Sequence, residues 1–205
     1  MQVVNSGNDW GIGLMHATNA LVEHSQVHSP AGADRLQDAI KDVYGDSVGT
    51  TIETTNIWGA DSGIKVGQGT IADNYVHGLE ADPGDHINGI VSYVGSAAGL
   101  TIRHNTVFNS IGQTDCIGIL ESFGRQYNVT VTGNLLSGAG YTIYGGANAG
   151  RWTPSNIVIT GNRIARTYYP NGGSYGPAAD VAAGVNGNVW SGNVWDDTGA
   201  LVNVS

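Results

Sequence analysis

The sequence predicts an all-β coil of stacked rungs, on three observations. The first is the stretch Asn88 to Ser110, NGIVSYVGSAAGLTIRHNTVFNS, whose short apolar runs are divided by a glycine-rich corner and by Asn105. Its apolar residues do not recur three and four apart, so it reads as three strands and three corners rather than a helix. The second is repetition. β-Branched residues, a small polar residue and an apolar pair recur as TIETTNIW, TIADNYVH, TIRHNTVF, VTVTGNLL, IVITGNRI and VWSGNVW. The aligned positions are Thr55, Asn74, Asn105, Asn134, Asn162 and Asn193, with Ser25 as a weaker first member, at intervals of 19 to 31 residues. A period of that size marks a solenoid. The third is the chemistry of the aligned position. Strands stacked about 4.8 Å apart let a side-chain amide hydrogen-bond its copy in the next rung, so the asparagines read as a structural ladder.

In chain order, residues 1–29 make a first rung, with GIGLMHA as one strand and NALVEHSQVHS as the following pair. Pro30 to Asp38 departs from the strand pattern and reads as a helical turn or projecting loop. Ala39 to Trp58 is the second rung and Asp61 to Val76 the third. Gly78 to Ile87 (GLEADPGDHI) is an acidic corner, and 88–110 is the rung described above. Cys116 to Leu136 is the fifth rung, and Tyr141 to Ile164 the sixth, interrupted by NAGRWTPS. Arg166 to Asp180 (RTYYPNGGSYGPAAD) carries three tyrosines, two prolines and three glycines, and reads as a loop with its own packing. Val181 to Val204 closes the stack, with Trp190 and Trp195 capping the open end of the core. The 205 residues therefore form one domain.

Through these rungs, and through the phrases DRLQDAIKDVYGD, QTDCIGI, YTIYGGANAG and SGNVWDDTG, the chain resembles the pectate-lyase-like superfamily. Within it the chain looks like the small secreted β-helix proteins of actinobacteria. The resemblance implies a single-stranded right-handed parallel β-helix, here of about seven rungs, and a secreted protein acting on a polysaccharide or oligosaccharide. The chain begins directly in strand-like sequence, as a mature or trimmed chain would.

Composition narrows the partners. A net charge of −9 argues against nucleic acid, whose binding needs a basic face. No apolar run approaches the ~20 residues of a membrane span. The single cysteine, Cys116, cannot form an intramolecular disulfide and reads as a buried thiol at the start of an apolar strand.

A parallel β-helix has no deep pocket of its own, so chemistry is expected on the outer face of one sheet. Aligning the first strand of each rung on Ile12, Ile40, Ile64, Ile90, Ile119 and Ile143 makes the next residue outward-facing. That column reads Gly13, Lys41, Lys65, Val91, Leu120 and Tyr144, and it holds both lysines of the chain. Two ammonium groups one rung apart disfavour double protonation, so one could serve as a base. An ordinary ion pair of Lys41 with Asp38, Asp42 or Asp61 is the competing reading. Ahead of that strand, Asp61, Asp85 with His86, and Asp115 make a second column. Carboxylates two rungs apart, at roughly 9 to 10 Å, approach the spacing of an inverting glycosidase, whereas single aspartates there could equally cap turns.

β-Helix hydrolases of the polygalacturonase type carry three motifs that align here with Ile87-Asn88-Gly89, Thr114-Asp115-Cys116 and Gly138-Ala139-Gly140. Only Asp115 matches as a carboxylate, so the resemblance does not carry that hydrolysis over. β-Helix lyases use Lys or Arg as base beside a neutralised uronate carboxylate, an inventory that Lys41, Lys65, Arg35 and His86 fit. The expected site is thus catalytic Lys41, Lys65, His86, Asp115 and Asp85, with substrate contacts from Arg35, Asp38, Asn88, Tyr93, Tyr144 and Trp152. Three alternatives stand: β-elimination, hydrolysis by Asp115 and Asp85, or a binding module without turnover. Tyr175 adds aromatic surface, while Tyr168 and Tyr169 read as loop aromatics packed onto the coil; His24, His28 and His104 read as surface or ladder residues. No cofactor is expected. Glu80, Asp82 and Asp85 offer oxygen ligands suited to Ca²⁺ without matching an EF-hand loop.

Overall fold

The computed structural model describes residues 2–4, 9–30, 35–147 and 151–204. It is a right-handed, all-β parallel solenoid of three sheets. Sheet one stacks Gln2–Val4, Gln26–His28, Asn56–Trp58, Tyr75–Val76, Thr106–Asn109, Leu135–Gly138, Arg163–Ala165 and Val194–Trp195. Sheet two stacks Trp10–Leu14, Leu36–Asp42, Ala60–Lys65, Asn88–Ser92, Asp115–Ile119, Tyr141–Gly145 and Gly176–Ala179. Sheet three stacks Leu21–Glu23, Thr51–Glu53, Gly69–Ala72, Leu100–Arg103, Tyr127–Thr132, Ser155–Thr160 and Val189–Ser191. The middle rungs send a branched apolar side chain inward from each sheet. Ile64, Ile71 and Val76 of the third rung are 0 to 1% exposed, and their copies above and below continue the files.

Two segments differ from the expected elements. Leu36 to Asp38 are strand, because Leu36 and Asp38 pair with Ala60 and Ser62; residues 31–34 of the expected turn lie outside the described residues, as do 148–150 of NAGRWTPS. Within Arg166 to Asp180, Gly176–Ala179 pairs with Tyr141, Ile143 and Tyr144 as the last strand of sheet two. The stacking template below supplies a strand that its own Gly-Pro-Ala-Ala composition does not signal.

The corner between sheets three and one carries the ladder. Asn105 Oδ1 accepts from the backbone N–H and Nδ2 of Asn74, at 3.0 Å each. Asn105 Nδ2 in turn donates to Asn134 Oδ1 and to the Ile71 carbonyl, both at 3.0 Å. The same bonds join Asn134 to Asn162 and Asn162 to Asn193. All five amides are 0 to 2% exposed and fully bonded, so their burial is compensated. Thr55 and Ser25 end the ladder, since their hydroxyls fold back on the carbonyls of Glu53 and Glu23.

The residue before each ladder position is left-handed: His24, Thr54, Asp73, His104, Gly133, Gly161 and Gly192 all have φ between 46° and 66°. This bend turns the following side chain into the wall of the coil. It explains why the upper rungs use glycine there.

Sheet two has a further repeated irregularity. Pairing skips one residue in every rung, joining Asn88 to Asp115 and Ile90 to Ile117 but leaving out the position between. That position faces inward together with the isoleucine that follows it. Ala39 and Cys116 are 0% exposed, and a Cβ on Gly63 would lie 2.6 Å from Val76 Cγ1 in the core. Two consecutive inward residues make a stacked bulge. Residues three apart on either side of it therefore share the outer face.

Candidate functional site

The bulge brings two columns of side chains together on the outside of sheet two. One runs Trp10, Asp38, Ser62, Asn88, Asp115, Tyr141 and Gly176; the other runs Gly13, Lys41, Lys65, Val91, Gly118, Tyr144 and Ala179. The second column is the expected one except in the fifth rung. There Ile117, not Ile119, is the partner of Ile90, so Gly118 replaces Leu120. Asp115 likewise stands in the strand column with Asp38 and Asn88, and not in a corner column with Asp61 and Asp85.

Lys41 and Lys65 are cross-strand neighbours, as expected. Asp38, 3% exposed, accepts from Lys41 at 2.8 Å and reaches Lys65 at 3.6 Å. The trio carries a formal charge of +1. Each ammonium also lies over a ring: Lys41 over Trp10 at 5.4 Å, and Lys65 over Tyr93 at 4.9 Å.

Asp115 occupies the space over Gly118, where a Cβ would collide with its carboxyl. It is 0% exposed, and neither carboxyl oxygen has a hydrogen-bond partner. Burial therefore holds the group well above the usual carboxylate range, in its neutral form. On the next rung Asn88 Oδ1 is also buried and without a donor. Asn88 and Asp115 are register partners on adjacent strands. Asn88 Nδ2 points the other way, to Ser62 Oγ at 3.4 Å and the His86 carbonyl at 3.2 Å, and the Asn88 side chain is hydrogen-bonded to Tyr93. Burial above all pushes the Tyr93 phenol up to about 12.

Tyr93 stands between two hollows and lines both. The polar cleft, about 400 Å³, is lined by His86, Asn88, Gln113, Thr114, Ser122 and Tyr144 among others. Thr114, next to Asp115, has φ 53°, a strained value for a β-branched residue. The second hollow, about 500 Å³, has Lys41 and Lys65 with Tyr44, Val94 and Phe123.

The remaining expected residues separate. Arg35 is enclosed by three aspartates: Asp61, Asp82 at 2.8 Å and Asp85 at 2.5 Å. Asp85 also accepts from the Asp82 amide at 2.7 Å. Two of the three residues expected to suit Ca²⁺, Asp82 and Asp85, thus turn onto a guanidinium. Trp152 stacks beside Arg151 at 5.3 Å, outside the linings of both hollows. Tyr175 lines the polar cleft, whereas Tyr168 packs edge-on to Phe108 of sheet one and Tyr169 bonds the Ser110 carbonyl. His28 stacks on Trp58 at 4.0 Å on sheet one, and His24 and His104 belong to the left-handed column. Cys116 is buried, and burial pushes its thiol up, which makes it inert. Trp10, Tyr44 and Phe123 were not foreseen. Lys over ring and ring over hollow follow from the bulge, which has no signature in hydrophobic alternation.

Comparisons with protein-family models, with curated proteins and with solved structures return no significant match.

Proposed function

We propose that the outer face of sheet two binds an acidic oligosaccharide and cleaves it by β-elimination. The observation that supports this most is the position of the two lysines, side by side on one outward column and flanked by Tyr93. A local cationic site in a chain of net charge −9 favours an anionic group on the ligand. The sugar itself is taken from the resemblance in sequence and from the polar cleft, whose amides and hydroxyls suit sugar hydroxyls.

In this reading Lys41, paired with Asp38, meets the uronate carboxylate. Lys65, held less closely by Asp38, takes the proton α to that carboxylate. The C–O bond to the leaving sugar breaks as the double bond forms, and the Tyr93 hydroxyl gives its proton to the departing oxygen. Solvent then returns the proton from Lys65 to Tyr93, and no water is consumed. Asp115 is a positioning residue: neutral, it holds Asn88 and through it Tyr93. The hydrolase alternative would need Asp85 to leave Arg35 and the Asp82 amide. A binding module would use the same groove without the proton transfers.

The test is turnover of uronate polymers, following ultraviolet absorbance of the unsaturated product together with reducing ends. Lys65→Ala is expected to lose about a thousandfold in rate, within the range of a lost general base. Tyr93→Phe should fall similarly, while Asp115→Asn keeps most of the activity. Reducing ends without absorbance, abolished by Asp115→Asn, would instead assign hydrolysis with Asp115 as the acid. Binding without turnover would leave the module.

A further inference from the structure

We propose that the lysine hollow takes a uronate bearing an aryl or acyl substituent, with its carboxylate on Lys41, beside Lys65, and the substituent against Tyr44, Val94 and Phe123. The inference rests on the acidic-oligosaccharide reading and names the class of sugar within it.

The rim is apolar and exposed to an unusual degree. Tyr44 is 62% exposed, Phe123 78% and Val94 38%, and all three line one hollow above a cationic floor. Single exposed apolar side chains need no explanation, but a cluster in a concavity marks a binding surface. These rings are also held in place. The Asp42 carboxylate caps the turn that presents Tyr44, accepting from the Gly45 amide at 3.1 Å and the Ser47 amide at 3.0 Å. The outer face of Tyr44 stacks on His16 with centroids 4.8 Å apart, and Asp46 fixes His16 at 2.5 Å. The Phe123 amide donates to the Tyr93 carbonyl at 3.1 Å, and the two rings meet edge to face at 5.6 Å.

Asp42 spends its acceptors on its own turn, so the rim offers little to a sugar hydroxyl. The polar cleft across Tyr93 is the opposite, with His86, Asn88, Gln113, Thr114 and Ser122. The two hollows thus divide the work: hydroxyls on one side of Tyr93, an anion with an apolar appendage on the other. About 500 Å³ is room enough for a monosaccharide with a ring-sized substituent.

Titration calorimetry of the intact protein with phenyl β-glucuronide, methyl β-glucuronide and phenyl β-glucoside tests the proposal. The phenyl glucuronide is expected to bind at least about tenfold tighter than the methyl one, from the additional apolar area buried. Phe123→Ala should erase that difference and leave the methyl glucuronide unchanged; being largely exposed, Phe123 is dispensable for folding. Lys65→Ala should weaken both glucuronides. Equal affinity for phenyl and methyl glucuronides would overturn the inference while leaving the acidic-oligosaccharide reading. Phenyl glucoside binding as tightly as phenyl glucuronide would overturn that reading, and so would no binding of either glucuronide at millimolar concentration.

Discussion

Asp115 and Asn88 face each other on neighbouring rungs with three buried oxygens that find no donor. A proton on Asp115 gives this group of acceptors an O–H donor. The sign of the pH dependence follows. The folded group keeps its proton above the pH at which the unfolded carboxyl, at about 3.9, has lost it. Its contribution to stability is therefore complete at low pH and is lost as pH rises through that window. Asp115→Asn offers an N–H in place of the O–H and does not titrate. Relative to this variant, the wild type should lose about 1.4 kcal/mol per pH unit within the window. Urea unfolding at a series of pH values measures the difference, and parallel curves would show that Asp115 is ionised in the fold. The sequence pointed to Asp115 as a carboxylate in the right region. Its neutrality was not legible, because it depends on enclosure over Gly118, and the alignment on Ile119 had set Leu120 there. The lysine pair was legible because inward isoleucines fix the residues after them. Asp38, two positions before Ile40, was read as a competing ion-pair partner and as a substrate contact, not as a carboxylate between both lysines.

The ladder and the bulge are elements of opposite visibility. Asparagine recurs in the sequence at the period of the coil, and every bond of the ladder follows from that recurrence and the strand spacing. The left-handed residue before it explains the alternation of glycine with short polar residues in the repeat. Both features predict stability changes. Asn105→Ala strands the Asn74 backbone N–H and the Ile71 carbonyl in the buried wall, and should cost about 3 kcal/mol. Thr54→Gly relieves a β-branched residue at φ 50° and should gain about 1 kcal/mol. Denaturant midpoints with unchanged slopes would check both, and a stabilised Asn105→Ala would contradict the ladder as a satisfied network. The bulge leaves no such trace. It is written in small inward residues such as Ala39, Gly63 and Gly89, which read by alternation as outward positions. The strand at Gly176–Ala179 was hidden for a related reason: its register comes from the rung beneath and not from its own composition.

The molecule as a whole is acidic, and Lys41 and Lys65 form a small cationic seat on it. The proposed ligand, an anionic oligosaccharide, would meet the net charge of −9 at a distance and Lys41 and Lys65 only within a few ångströms. Salt screens the first interaction more than the second, since the Debye length is about 30 Å at 0.01 M and 8 Å at 0.15 M. Association should therefore speed up severalfold when salt is raised from the lower to the higher value, the reverse of electrostatic steering. Stopped-flow fluorescence of the tryptophan and tyrosine rings near the groove can follow it. A rate that falls with salt would mean that the lysine site, and not the net charge, governs the approach. Length, period and charge made the solenoid and the sign of its field readable from the sequence. The groove was not, because it is made by neighbours that are distant in the chain.

The bulge in sheet two recurs in every rung, and so does the pair of outward positions it creates. Trp10 with Gly13, Asp38 with Lys41, Ser62 with Lys65, Asn88 with Val91 and Asp115 with Gly118 are successive occupants of one kind of socket. The backbone holds each socket open without reference to what fills it. A rod of this kind resembles a keyboard whose keys can be relettered singly: exchanging two residues of one rung changes what the surface spells at that place, and the rungs on either side keep their shape.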